Sequence, residues 1–197
     1  LSPSEALRGK IIMINAARDV VGIALKALGY SVNSTDPKQL KAAEALLLAQ
    51  KPYVKSYSYI SLSAQSELVD GGAWAAMIYN GDAITLQALN PNIVYAVPEE
   101  GSELWVDYLV VLAASPRQAL AKTFINFLNE PENAARIARF VNYATPNKTA
   151  EQWLSAEFLQ DTRIYPSAEI LKQSEFYAEL PPRMAKKINS IFSRLLQ

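Results

Sequence analysis

The sequence contains no histidine and no cysteine. Imidazole- and thiolate-based zinc sites, thiol nucleophiles and the Ser-His-Asp arrangement are therefore excluded, because each needs at least one of those side chains. The lack of cysteine is neutral as to compartment and permits export without disulfide errors. Net charge is lacking too: 19 Lys and Arg balance 19 Asp and Glu. That argues against a nucleic-acid protein held by a general basic surface. No run approaches the ~20 apolar residues of a membrane span. No leader is visible at Leu1, so the chain reads as mature, truncated or cytosolic. Internal repeats and low-complexity segments are absent.

What is present is a globular composition over 197 residues, 50% hydrophobic and 19% charged. That suffices for one sizeable domain or two small lobes. Residues 1–9 read as a linker-like lead closed by Gly9. Residues 10–14 (KIIMI) form a short buried strand, and the turn at 15–19 opens a helix. Val20, Val21, Ala24, Leu25 and Leu28 mark its inner face, and Gly29 stops it. Asp36 caps a second helix with Pro37 in its first turn, and Leu40, Ala43, Leu47 and Leu48 face inward.

The middle of the chain reads as strands: residues 53–63, then 74–78, 92–97 and 104–112. The strand at 74–78 runs into Tyr79-Asn80-Gly81-Asp82, and a helical pattern begins at Ala83. A strand that feeds a helix through a tight turn leaves a ligand-accessible edge at the carboxyl end of an open α/β sheet. Tyr79 and Asp82 offer an aromatic face and a carboxylate there, which suits a small organic cation. The same turn is also what an ordinary βα connection needs, with Asn-Gly-Asp setting geometry and capping the helix. Trp105 and Asp107 share one face of the 104–112 strand by its period of two. A charge in so apolar a run is either paired by a neighbouring Arg or Lys, or it faces a cavity. Residue 115 onward is helical, with Ala119, Leu120, Thr123, Phe124, Phe127 and Leu128 inward. A further helix starts at Glu130-Pro131, Tyr143 lies in the turn at 142–147, and a last helix follows Pro181-Pro182. Interleaved strands and helices giving way to helices make the class α/β.

Taken in order, KIIMINAARDVVGIALKALGYSVNSTDPKQL, MIYNGDA, ELWVDYLVV, KTFINFLNEPENA and NYATPN resemble the C-terminal part of the spermidine/putrescine-binding receptors of ABC transporters, as does the Tyr165-Pro166 region. The resemblance implies a type II periplasmic solute-binding fold with the front part of the first lobe missing. It places a lead at 1–9, the second lobe at 10–105 and a mostly helical share of the first lobe at 106–197. It implies a polyamine held between rings and carboxylates, with Asp19, Tyr79, Asp82, Trp105, Asp107, Tyr143 and Tyr177 as ligand-binding positions. Asp107 is the main amine anchor in that pattern. Tyr177 stands where spermidine-type members carry Gln. Ala16 stands where they carry Asp, in a motif that there reads Thr-Asp-Asp-Ala-Arg, so one amine contact is lost and a shorter diamine is easier to satisfy.

The resemblance also implies no enzyme activity, no cofactor and no nucleic acid. It implies an ABC permease as partner and a periplasmic location, and the absent front raises a second chain supplying that segment. The alternative is a binding-protein-like domain recruited as a structural subunit without transport activity. An enzyme built on dispersed carboxylates is the weakest reading, since no spacing demands it.

Overall fold

In the computed structural model, which describes residues 4–197, a three-stranded parallel sheet carries the first part of the chain. Strand β1 (Ile11–Met13) lies between β2 (Val54–Tyr57) and β3 (Ala75–Ala76). All three residues of β1 are buried, as expected for a central parallel strand covered on both faces. Helix α1 (Ala17–Ala27) follows β1 and ends at Gly29, whose φ of +76° suits a residue without Cβ. Helix α2 (Pro37–Gln50) starts where the cap chemistry says: the Asp36 carboxylate accepts from the backbone N–H of Lys38 at 2.6 Å and of Gln39 at 3.4 Å. Helix α3 (Asn80–Leu89) follows β3 and begins three residues before Ala83.

Strand β4 (Glu103–Leu104) pairs in parallel with β5 (Glu175–Phe176), so the chain crosses between its two halves side by side. Between these strands lie α4 (Gln118–Asn129), α5 (Pro131–Val141), α6 (Ala156–Gln160) and α7 (Ala168–Gln173). The last helix, α8 (Pro182–Leu195), ends the chain.

The main core joins β1, α1, α2 and α8 through Val20, Leu25, Leu40, Leu47, Ile191 and Leu195. The apolar stripe of α8 (Ile188, Ile191, Phe192 and Leu195) is buried with the first unit, and Arg194 pairs with Glu44 of α2. A smaller core joins α5 to the 3-10 segment Lys148–Trp153 through Ala134, Ala135, Ala138, Ala150 and Leu154. Of the lead, residues 1–3 lie outside the described residues. Glu5–Leu7 form a 3-10 turn whose Leu7 packs on the main core.

Several expected strands are shorter than their sequence pattern. Residues 53–63 shrink to Val54–Tyr57, 74–78 to Ala75–Ala76, and 104–112 to Glu103–Leu104, while 92–97 form no strand. A strand needs a hydrogen-bonded neighbour, and residues 105–112 have no ladder partner among the described residues. Tyr108, Val110 and Leu112 are accordingly 80%, 80% and 76% exposed. The inner face expected for α4 is likewise uncovered, with Leu120, Phe124 and Phe127 exposed. Leu28 and Leu48 also lie outside the core. No helix among the described residues is long and apolar enough to cross a membrane.

Candidate functional site

The carboxyl ends of β1 and β3 open onto one large cleft of about 1550 Å³. This is where open parallel sheets leave room for ligands, because adjacent loops diverge there. Asp19 reaches the cleft from the first turn of α1, and Tyr79 from the residue that precedes α3. Trp105 and Asp107 reach it from the segment after β4, and Tyr143 from the turn after α5. Five of the seven positions suggested by sequence thus line one cavity.

Three rings form a continuous wall. Tyr79 and Trp105 lie 5.2 Å apart between centroids at 52°, and Trp105 and Tyr143 lie 5.5 Å apart at 86°, edge to face. Such pairs contribute about 0.5–1.5 kcal/mol each beyond their buried area. Gly81 lets the wall close: a Cβ there would meet the Val141 carbonyl oxygen at 2.1 Å and Tyr143 Cε1 at 2.6 Å. The absent side chain at Gly81 thus admits the C-terminal end of α5.

The carboxylates differ in environment. Asp19 accepts from the Tyr79 phenol at 3.2 Å and from the Tyr177 phenol at 2.8 Å. Asp107 is exposed on the cleft wall, and no Lys or Arg among the described residues pairs with it. Of the two readings left open for it, it faces the cavity. Asp82 does not line the main cleft; it borders a small adjacent pocket with Ser58, Tyr59 and Tyr79. Burial raises its carboxyl above the usual range. It sits in the first turn of α3, where the helix dipole favours a negative charge, but makes no capping hydrogen bond. Tyr177 is likewise not on the cleft wall. Its hydroxyl supports Asp19 from behind, and its ring carries the Arg18 guanidinium at 4.2 Å. Arg18 is further held by Asn33 Oδ1 at 3.1 Å and by the Ala178 carbonyl.

Burial, with the Asp19 charge and hydrogen bond adding, pushes the Tyr79 phenol well above its ordinary range. Tyr143 is pushed up to about 12, by burial first and then by the charges of Asp82 and Asp107. Tyr177 is driven up furthest, by burial and then by Glu103 and Asp19. All three are therefore neutral donors at neutral pH.

Glu103 is the cleft residue that sequence reasoning missed. It lines the same cavity, and desolvation with the nearby Asp19 charge pushes its carboxyl up to about 7. The signal was available: Glu103, Trp105 and Asp107 share one period-two face. Arg163 also borders the cleft, but its guanidinium is engaged by Asp161, at 2.8 Å to Oδ1, and by Gln87 at 2.6 Å. No group of three or more carboxylates among the described residues converges to hold a metal ion. The cleft thus presents rings and carboxylates with no free basic group among the described residues, an arrangement complementary to an organic cation.

Comparison with known proteins places this architecture. The family described as bacterial extracellular solute-binding protein matches residues 2–166. The Escherichia coli spermidine/putrescine-binding periplasmic protein is 34% identical over 169 residues, covering 86% of this chain and 48% of that protein. The Pseudomonas aeruginosa putrescine/cadaverine-binding protein is 29% identical and is covered over 55% of its length, with 97% of this chain aligned. Among solved structures, a spermidine/putrescine ABC transporter substrate-binding protein from Streptococcus pneumoniae superposes with a TM-score of 0.80 at 31% identity, covering 98% of this chain and 59% of that one. A Listeria monocytogenes structure assigned to spermidine/putrescine ABC transport reaches 0.87 at 34% identity, with the same coverage. The chain therefore spans about half the length of the curated relatives it matches. Its fold is the type II solute-binding fold in part, and the chain belongs to the bacterial extracellular solute-binding proteins.

Proposed function

We propose that this chain supplies part of the ligand cleft of an extracytoplasmic receptor, periplasmic in a two-membrane cell. That receptor binds a polyamine and delivers it to an ABC-type permease. It acts as a binder and catalyses nothing. The observation that carries the reading is the ring wall Tyr79–Trp105–Tyr143 with Asp19 and Asp107 on the same cavity. A diammonium chain needs a carboxylate near each end, because a buried charge left unpaired costs several kcal/mol, about 3–5 for a broken pair. Its methylenes gain about 0.8 kcal/mol for each CH₂ buried against rings. Ala16, at the start of α1, offers no side-chain oxygen, so a diamine is satisfied more fully than a triamine.

The residue set divides by role. Trp105, Asp107, Tyr143, Tyr79 and Asp19 contact ligand, Tyr177 positions Asp19, and Asp82 tunes the pocket behind Tyr79. The lobe division follows the same reading, with residues 10–105 plus α8 as one lobe and the remaining helices as part of the other. The uncovered apolar faces of 106–112 and α4 then pack on the rest of that second unit. A separate second chain as its source finds no support in the names of the relatives. Those names also give no ground for a structural subunit without transport activity.

Isothermal titration of the full-length protein with putrescine and with spermidine tests the reading. One-to-one binding is expected, weakened tenfold or more by Asp107→Asn and by Trp105→Ala. No heat and no change in tryptophan fluorescence at millimolar ligand would refute it.

A further inference from the structure

The carboxyl group of Glu103 is unlike the other acids of the cleft. It stands on β4, one of the two strands where the chain crosses between its halves, and opposite Glu175 of β5. Glu175 is satisfied: it accepts from Lys26 at 2.8 Å and pairs with no other acid. Glu103 is not. Its Oε2 is buried and has no hydrogen-bond partner among the described residues.

The groups that face Glu103 are Asp19 from α1, Tyr177 just after β5 and Tyr95 from the loop before β4. Of these side chains the two phenols can donate; the Glu103 backbone N–H and Tyr177 also act on the carboxyl, lowering its pKa against the larger effect of burial. The Tyr177 hydroxyl has one proton, and Asp19 receives it at 2.8 Å; Asp19 receives the Tyr79 proton as well. Lys26 is taken by Glu175, and Arg18 lies over the Tyr177 ring, held by Asn33 and the Ala178 carbonyl, with its buried Nε making no hydrogen bond to Glu103. Two carboxyl groups therefore share one end of the cleft, and the Glu103 Oε2 receives neither a hydrogen bond nor a paired cation among the described residues. An ammonium group, with three N–H donors and one charge, supplies both.

We propose that Glu103 is a further specificity-determining residue: together with Asp19 it forms a two-carboxyl seat for one ammonium of the ligand, and it loses its proton when that ammonium arrives. The proposal rests on the polyamine reading. In the empty cleft, desolvation and the Asp19 charge keep the Glu103 carboxyl protonated to about pH 7. A bound ammonium reverses the electrostatic balance and favours the ionised form. Alkylammonium groups stay charged across pH 6–8. Binding near neutrality therefore releases a proton from the protein, and affinity rises as pH rises from 6 to 8. Glu103 also restores a carboxyl to a cleft in which position 16 is alanine.

The test is putrescine titration of the full-length protein by calorimetry at pH 6, 7 and 8, in two buffers of different ionisation enthalpy. The wild type should release about half a proton at pH 7, fewer at pH 8. E103Q keeps the shape and one acceptor but carries no charge. It should release no proton and bind about tenfold more weakly at pH 8. The deficit should shrink toward equality at pH 6, where the wild-type group is itself neutral. Thermal unfolding without ligand checks that E103Q folds, and it should be at least as stable as the wild type at pH 8.

Equal proton release in both proteins, or a pH-independent affinity ratio, would overturn the proposal while leaving the polyamine reading intact. No putrescine binding by the wild type at any pH would overturn both.

Discussion

Gly81→Ala is a small change with a large expected effect, because the site and the packing meet at that residue. Gly81 lies in the first turn of α3 with ordinary helical backbone, so no left-handed strain is involved. On an open helix the alanine would be favourable by about 0.5–1 kcal/mol. Here its methyl lands 2.1 Å from the Val141 carbonyl oxygen and 2.6 Å from the Tyr143 ring. Neither neighbour is free to yield. Val141 is the last residue of α5, and Asn142 at φ 55° fixes the exit of that helix. The Tyr143 ring is set edge to face on Trp105. Overpacking typically costs about 1–3 kcal/mol and outweighs the propensity gain. Displacing Tyr143 removes a ring contact worth about 0.5–1.5 kcal/mol from the cleft wall. Urea unfolding should therefore show a loss of about 1–3 kcal/mol, and putrescine affinity should fall with it. A Gly81→Ala protein more stable than wild type, with unchanged near-ultraviolet dichroism and affinity, would refute this packing argument.

Trp105→Ala breaks both ring pairs at once, so it should weaken ligand binding more than Tyr79→Phe, which keeps the ring and loses only the 3.2 Å bond to Asp19; titration of both variants decides. Phe192→Ala removes a buried ring that meets Tyr57 edge to face at 5.6 Å, and should cost about 3–5 kcal/mol in chemical denaturation. Asp36→Ala removes the α2 cap and should cost about 1 kcal/mol by the same assay. Ligand-free stability should depend on Glu103: its folded value of about 7 lies above the ordinary 4.5, so protonation favours the folded state. That contribution is present below pH 4.5 and is lost as pH rises to about 7, a span worth roughly 3 kcal/mol at most, and E103Q should flatten this part of the stability profile.

Helices α1 and α2 were legible in sequence because their ends are set locally, by Asp36 and Pro37 at one start and by Gly29 at one stop. The inner residues Val20, Leu25, Leu40 and Leu47 followed from period alone. Strand lengths were not legible, because a ladder depends on what lies beside it. Among the described residues, 105–112 have the strand pattern and no ladder partner, and the α4 stripe has helical period and no cover. The return of α8 to the first unit was also hidden, since an amphipathic stripe states that it will be buried and not against what.

The site shows the same split. Tyr79, Trp105 and Tyr143 were found as separate rings, and the fold makes them one wall. Tyr177 and Asp82 were grouped with them, yet chain order gives no depth: one proves to stand behind Asp19 and the other beside a smaller pocket. Glu103 lies between the expected strands 92–97 and 104–112 and was not among the positions read from the sequence. Only the pairing of β4 with β5 takes its carboxyl out of water and brings Asp19 near it.

The central claim is that rings and carboxylates from this chain hold a diammonium ligand. Tryptophan fluorescence of the full-length protein during putrescine titration, wild type against Asp107→Asn, tests it most directly. The account predicts a saturable change in the wild type, with Trp105 beside the ligand, and at least a tenfold weaker response in the variant. A saturable response of equal affinity in both proteins would place the ligand away from Asp107 and contradict the account.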